Sequence, residues 1–539
     1  MGTNLSPTAA LRRFGFSRTI KGALILGFII GLFVTGQGLG YAETFTDEKS
    51  RTDLATSLSG APALGILYGE PKDILSTAGY MVYRTTPIMG LITAIWGLMT
   101  VTKLLRGQEE DGRMEAIVTG STTNRQASWH IFMGFIGSIV LSFTIAALII
   151  VGVGRMPNVD ASVYACLLIT AAIFLPGLLF AGIGVFVSQF SVMRRRALMY
   201  GLIPLAILFA MRGFANTIED WYWLKRFTPF GWADKISPVS DTQLVWILPF
   251  LLVIPIVAIG IYLVGKRDLG ASLIKESETV KSHNFLLGSP LQMAVRQQIG
   301  IFAIWAVSGL FVSSLIAAIA NIAANAVVDA PEIKDVIGKL GGSVDDMALA
   351  FLGTGIILVV LLLLLMVTVG ITAIRKDEAK QYLDNLLVQP VMRSKWLASR
   401  IGVLAIASVV IALITELATF LIANSLGIHV DAADLFLVSI ALTGTVIFTL
   451  GLGTLMYGFL PRFAATTMYT VIAWSFLVDV IQSIVKLDDI VLKSSLFHYI
   501  SPSLTETPDW ATFAWLVSLG IVMAIVGIFA FTRRDIIAE

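Results

Sequence analysis

The sequence predicts an all-α integral membrane protein. About twelve transmembrane helices are expected, in two tandem six-helix halves related by a pseudo-twofold axis along the membrane normal. Three observations predict it. Of 539 residues, 56% are hydrophobic and only 14% charged, with a mean hydropathy of +0.83, whereas a soluble domain carries roughly 25% charged residues. Apolar runs long enough to cross roughly 30 Å of hydrocarbon recur along the whole chain. Charged landmarks recur at half the chain length: Arg106 and Arg375, like Glu109 and Glu378, stand 269 residues apart, and Arg125 and Arg393 stand 268 apart. A repeat of that period with like orientation implies two parallel copies of one bundle.

Taken in order, Thr3 to Lys21 carries Arg12, Arg13, Arg18 and Lys21 among apolar residues, the pattern of a helix lying on the inner membrane face. Gly22 to Ala42 is the first span. A cleavable signal ending at Gly40-Tyr41-Ala42 is the rival reading, and its removal would leave an odd number of spans. Further spans are expected near 80–102, 130–153, 161–190, 197–213 and 244–265, then near 298–325, 349–374, 398–425, 435–457, 464–484 and 512–531. The halves end alike, on Lys266-Arg267-Asp268 and on Arg533-Arg534-Asp535, and each last span follows a Ser/Thr-Pro segment (Thr228-Pro229, Ser501-Pro502). The outer loop Glu43 to Gly79 holds Pro62, Leu64, Ile66, Leu67 and Tyr68 and is expected to pack. The aromatics Trp221, Tyr222, Trp223, Phe227, Phe230 and Trp232 fit a membrane interface.

The domain reading is a first six-span half over 1–268, a cytoplasmic linker with an interfacial helix over 269–297, and a second half over 298–539. With both termini inside, about two-thirds of the Lys and Arg fall on the inner side and about two-thirds of the Asp and Glu do not, as the positive-inside rule requires. The expected location is the bacterial plasma membrane, with both termini cytoplasmic.

Several chemistries are excluded. A net charge of +2 argues against a nucleic-acid partner. Cys166 sits alone in an apolar run, and His130, His283, His429 and His498 are scattered, so neither a disulfide framework nor a metal site is expected. No Gly-x-x-x-x-Gly-Lys-Ser/Thr loop is present to cradle phosphates. Gly107 and Gly112 have the P-loop spacing, but three carboxylates and no lysine lie between them. No catalytic constellation stands out. The chain is expected to carry no cofactor and to draw its energy from elsewhere.

The repeated stretch is therefore the candidate site. The first copy, about 103–120, contains Arg106, Glu109, Glu110, Gly112, Arg113 and Glu115; the second, about 375–389, contains Arg375, Asp377, Glu378 and Asp384. In a continuous helix, Arg106 would pair with Glu110 and Glu109 with Arg113, each adding about 0.2–0.5 kcal/mol. Gly120 and Pro390 are the expected terminators. Such a helix, presented twice on the cytoplasmic side, has the form of a docking element.

Arg106-x-x-Glu109-Glu110-x-Gly112-Arg113-x-Glu115, followed by Arg125, resembles the coupling segment of ABC export permeases of the second type. The resemblance covers nearly the whole chain and is nearest to the fused permeases that export polyketide antibiotics in actinobacteria, tetronasin-type resistance transporters among them. The second copy departs from it, since Gln381-Tyr382 stands where the first has Gly112-Arg113. The resemblance implies a separate ABC ATPase subunit, a homodimer under one fused permease chain, which binds the ATP and Mg. It also implies export of hydrophobic or amphipathic compounds.

Two other readings stand beside it. A secondary transporter of the major facilitator type shares twelve spans and parallel halves, and its Gly-x-x-x-Asp-Arg-x-Gly-Arg signature is partly echoed from Gly107 to Arg113. A membrane-embedded enzyme would need a polar cluster at one depth. Glu416, inside the expected ninth span, is costly to bury, so it reads either as a substrate-pathway residue or as an acid bonded to a neighbouring helix.

Overall fold

Short polar side chains open many of the long helices, because the first N–H groups of a helix need acceptors that an apolar run cannot supply. Ser76 accepts from Gly79, Ser162 from Ala165, Asp431 from Ala433 and Asp509 from Ala511. Thr123 and Gln126 form a reciprocal capping box. The computed structural model describes residues 6–59, 65, 67–118, 122–217, 219–238, 247–274, 285–328, 344–379, 381–383, 391–482, 488–500 and 508–535. Among them there are helices and no strands. The protein is an all-α integral membrane protein, and among the described residues ten helices are long and apolar enough to cross a membrane.

The chain divides into two units, Met1–Val280 and Lys281–Glu539, and the division falls inside the expected linker 269–297. The first unit contains α1 (Pro7–Thr44), α2 (Glu48–Ser59), α3 (Thr77–Leu104), α4 (Arg106–Glu110), α5 (Arg113–Val118), α6 (Asn124–Gly154), α7 (Val163–Val187) and α8 (Arg194–Thr217). A 3-10 turn (Glu219–Phe227), α9 (Pro229–Ala233) and α10 (Leu248–Val264) complete it. Residues 7–21 are not a separate helix but the first turns of α1, which runs 38 residues without a break. The 17-residue α10 occupies the expected sixth span.

The second unit contains α11 (Pro290–Val328), α12 (Val344–Ala379), α13 (Arg393–Ser425), α14 (Ala432–Phe459), α15 (Ala464–Gln482), α16 (Asp489–Lys493), a 3-10 turn (Phe497–Tyr499) and α17 (Trp510–Arg533). The 19-residue α15 occupies the expected eleventh span.

Within each unit the six long helices pack in the same order. In the first, α1 lies on α6 and α3, α7 lies on α3, α6, α8 and α10, and α3 also touches α8. In the second, α11 lies on α13 and α12, α14 lies on α12, α13, α15 and α17, and α12 also touches α15. Between membrane helices the apolar driving force is weak, so close van der Waals approach matters more, and small residues permit it. A Cβ on Gly451, Gly458, Gly520 or Gly527 would strike the backbone of the facing helix, so these four set the α14–α17 crossing. Gly260 plays the same part on α10, against the backbone of Phe186 just before α7 ends.

Of the outer loop Glu43 to Gly79, the described stretch Leu67 to Ser76 packs at the other end of α3 from Glu109, whereas Pro62, Leu64 and Ile66 lie outside the described residues. Arg212 near the end of α8 is fully buried and forks onto Asp234 at 2.8 and 2.9 Å, and it also donates to the Leu67 carbonyl at 2.9 Å. Lys225 bonds Glu70 at 2.7 Å, and Ser237 bonds Asp73. An ion pair and two hydrogen bonds therefore tie this stretch to the turn Glu219–Phe227, to α8 and to the segment just after α9. Trp221, Tyr222, Trp223 and Phe227 point outward, while Phe230 and Trp232 are buried.

Candidate functional site

The repeated charged stretch begins where α3 runs out of apolar residues. The helix bends at Leu105 and continues as the five-residue α4, and Gly112, at φ +70°, then turns the chain into α5. The left-handed conformation is open to glycine without a Cβ clash. In the second copy Gln381, 269 residues on, takes the same conformation at φ 58°. The stretch is thus not one continuous helix, and the pairs expected four residues apart do not form. The turn at Asp111-Gly112 interrupts the helix, and both carboxylates find nearer partners.

Glu109 is buried, and Arg267, from the end of the unit, grips it with both guanidinium ends at 2.6 and 2.7 Å. Arg106 is 1% exposed and reaches the same carboxylate at 2.7 Å. Its remaining donors go to the carbonyls of Val192, Gly270 and Ala271. Gln189, just past α7, accepts from Arg267 Nε at 2.8 Å and donates to the Val185 carbonyl at 2.7 Å. A buried carboxylate is tolerable only with such full pairing.

The second unit builds the same joint from the matching positions. Glu378, fully buried, is gripped at both oxygens by Arg534 at 2.6 and 2.7 Å. Tyr457, near the end of α14, donates its hydroxyl to Glu378 at 2.7 Å. Arg375 stands 4.0 Å away. Glu109 and Glu378, Arg267 and Arg534, and Gln189 and Tyr457 are offset by 269, 267 and 268 residues. Gln189 and Tyr457 were missed by the sequence reading, although the repeat offset pointed to both. Asp377 leaves the joint to pair with Arg400 on α13 at 2.9 Å.

Around the buried joint lies an exposed arc. Glu110, Asp111, Gly112, Arg113 and Glu115 all face solvent. Glu110 also accepts the Arg194 N–H at 2.9 Å, capping α8 with a carboxylate that suits a helix N-terminus. Among the described residues Arg113 has only a long contact of 3.8 Å to Asp111. In the second unit Lys376, Gln381 and Tyr382 are exposed. Asp384, Gly120 and Pro390 lie outside the described residues.

Glu416 sits on α13, 2% exposed, and its Oε1 has no hydrogen-bond partner among the described residues. Thr415 beside it packs on Gly309 of α11, and Ser313 bonds the Thr415 carbonyl at 2.8 Å. No group of three or more His, Cys, Asp or Glu side chains placed to hold a metal ion occurs among the described residues.

The chain is 24% identical over 513 residues to the multidrug efflux system permease protein Rv1217c of Mycobacterium tuberculosis (strain ATCC 25618 / H37Rv), covering 91% of this chain and 88% of that protein. Residues 12–267 and 287–532 match the family described as "Multidrug efflux system permease Rv1217c, C-terminal domain", and the chain belongs to that family.

Proposed function

We propose that this chain is the permease subunit of an ATP-driven ABC exporter that moves hydrophobic or amphipathic compounds, drugs and antibiotics among them, out of the cell. One observation carries the reading: a buried ion-paired joint fixes the end of the second long helix of each unit, and in the first unit a charged turn stands exposed beyond it. A loop needed only to set topology would carry basic charge. Glu110, Asp111 and Glu115 make this arc acidic as well, and Arg113 stands among them, so it suits a partner surface. The partner is a separate ABC ATPase, dimerised under one permease chain, which binds the ATP and Mg.

The matched packing order, the matched joints and the left-handed turn at Gly112 and Gln381 support an internal duplication. On that reading there are twelve spans, with α10 and α15 completing the two sets, parallel halves in the plasma membrane and both termini in the cytoplasm. It also gives the coupling residues two tasks. Arg106, Glu109, Arg375 and Glu378 hold the segment from inside; Glu110, Gly112, Arg113 and Glu115 meet the partner. Asp377 braces the second copy against α13. Glu416 is the proposed pathway residue, a buried acid able to meet a cationic or hydrogen-bonding compound.

The reading is tested by purifying the intact chain from its native membrane and assaying for a bound ATPase. A co-purifying ABC ATPase is expected, and its loss in the double variant Arg113→Glu, Glu115→Lys at unchanged folded yield. A chain that exports without any ATPase, or a variant that binds it as wild type does, contradicts the reading.

A further inference from the structure

We infer that Gln189 and Tyr457 are positioning residues, and that each completes a joint through which motion of the exposed turn is passed to the fourth and sixth long helices of its unit. The inference rests on the docking reading above for the source of the motion, but the joint itself is read from geometry alone.

Each joint gathers three helix ends at one point: α4, which continues α3, with the residues just past α7 and α10 in the first unit, and α12, α14 and the residue capping α17 in the second. The carboxylate comes from the second long helix and the guanidinium from the residue ending the sixth. The third member comes from the end of the fourth, and it is the one member whose chemistry differs between units. Gln189 acts on the arginine: its Oε1 takes the Nε–H of Arg267 at 2.8 Å, and its own Nε2–H is anchored at 2.7 Å on Val185. The guanidinium plane is thereby fixed with its two terminal nitrogens turned to Glu109. Tyr457 acts on the acid: its hydroxyl holds Glu378 Oε2 at 2.7 Å, and its ring lies under Arg534 at 5.1 Å and stacks on Phe531 at 5.5 Å. Different side chains thus fix the same ion pair in one geometry.

Fixing it has a mechanical consequence. A largely buried fork–fork pair admits little rotation, because any turn breaks one of two parallel bonds. Displacement of the turn at Gly112 or Gln381 therefore moves the ends of the fourth and sixth helices as one body rather than flexing the loop. Without the third member the pair remains, but it loses its side-chain tie to the end of the fourth helix, which is then held less firmly by backbone bonds alone.

Two measurements test this on the full-length chain reconstituted with its co-purified ATPase in lipid vesicles. The first is the number of drug molecules transported per ATP hydrolysed, for wild type, Gln189→Leu, Tyr457→Phe and the double variant. The expected result is a roughly tenfold fall in that ratio for the double variant, the scale of one buried charge-assisted hydrogen bond lost per joint, with ATP hydrolysis and partner binding retained. The second is the distance distribution between spin labels at Val192→Cys and Lys266→Cys, both exposed and beside Gln189 and Arg267 respectively, in a Cys166→Ala background. It should be narrow with Gln189 and broad with Gln189→Leu. An unchanged ratio with an unchanged width overturns the inference. So does a loss of folded protein at an unchanged ratio in what remains, which would make both residues ordinary packing. A wild-type preparation without any ATPase defeats the docking reading instead, and the label distances then decide the joint by themselves.

Discussion

Arg534 holds both oxygens of Glu378, at 2.6 and 2.7 Å, across 156 residues of chain. The same grip joins Arg267 to Glu109 in the first unit. Removing one member strands a largely buried charge, so Glu378→Ala should cost about 3–5 kcal/mol. Replacing both with apolar side chains, as in Glu378→Leu with Arg534→Met, should cost distinctly less. Thermal unfolding of the purified chain in detergent reads both, and equal losses would show that the pair is not the source of the effect.

The glycines of the α14–α17 crossing make a second prediction. A methyl at Gly451 would meet the backbone of Gly520, which cannot swing aside as a side chain can. Gly451→Ala is expected to destabilise by about 1–3 kcal/mol, the usual cost of overpacking. Gly402, with open space where its Cβ would stand, should accept alanine without loss. The folded fraction by size-exclusion chromatography compares the two.

The Lys225–Glu70 pair predicts a pH effect. Burial by itself would raise the Glu70 carboxyl, but the hydrogen bond and charge of Lys225, helped by Lys72, outweigh it and hold the group below its ordinary 4.5. A lowered folded value means the stabilisation is complete above 4.5 and is lost as pH falls through the lower folded value. Limited proteolysis of the 65–76 stretch should therefore quicken on acidification below that range. In Lys225→Met the stretch should be cut readily at neutral pH already. Cleavage independent of both pH and Lys225 would refute the tie.

For Glu416 the prediction turns on charge rather than shape. Gln keeps the volume and the hydrogen-bonding capacity, so Glu416→Gln is expected to keep the fold while lowering transport of cationic compounds several-fold, roughly the tenfold span of one lost charge-assisted contact. Neutral compounds should be unaffected. If Gln changes no substrate and Ala only reduces the amount of folded protein, the residue is structural.

Much of the fold was legible because it is written in composition. Apolar runs become helices in lipid, where the backbone has no other way to satisfy its polar groups. The candidate site was legible only in outline. Arg106, Glu109, Arg267, Glu378 and Arg534 all appeared as landmarks, yet pairing by helical spacing joined Glu109 to Arg113. Its real partner, Arg267, lies 158 residues away. Local periodicity carries no information about such closure. The break at Gly112 was masked by the favourable charge spacing around it. That Gln381 adopts the same left-handed turn is less expected, since a non-glycine residue there is uncommon. Gln189 and Tyr457 share no chemistry visible to residue-by-residue comparison, and only the common offset relates them.

The most direct test of the central claim is drug uptake into inside-out vesicles carrying the chain and its co-purified partner, with ATP and with an imposed proton gradient as alternative energy sources. Uptake is expected to require ATP and Mg, to survive collapse of the gradient, and to be lost when Arg113→Glu and Glu115→Lys are combined. Uptake driven by the gradient without ATP, and indifferent to that double variant, would contradict it.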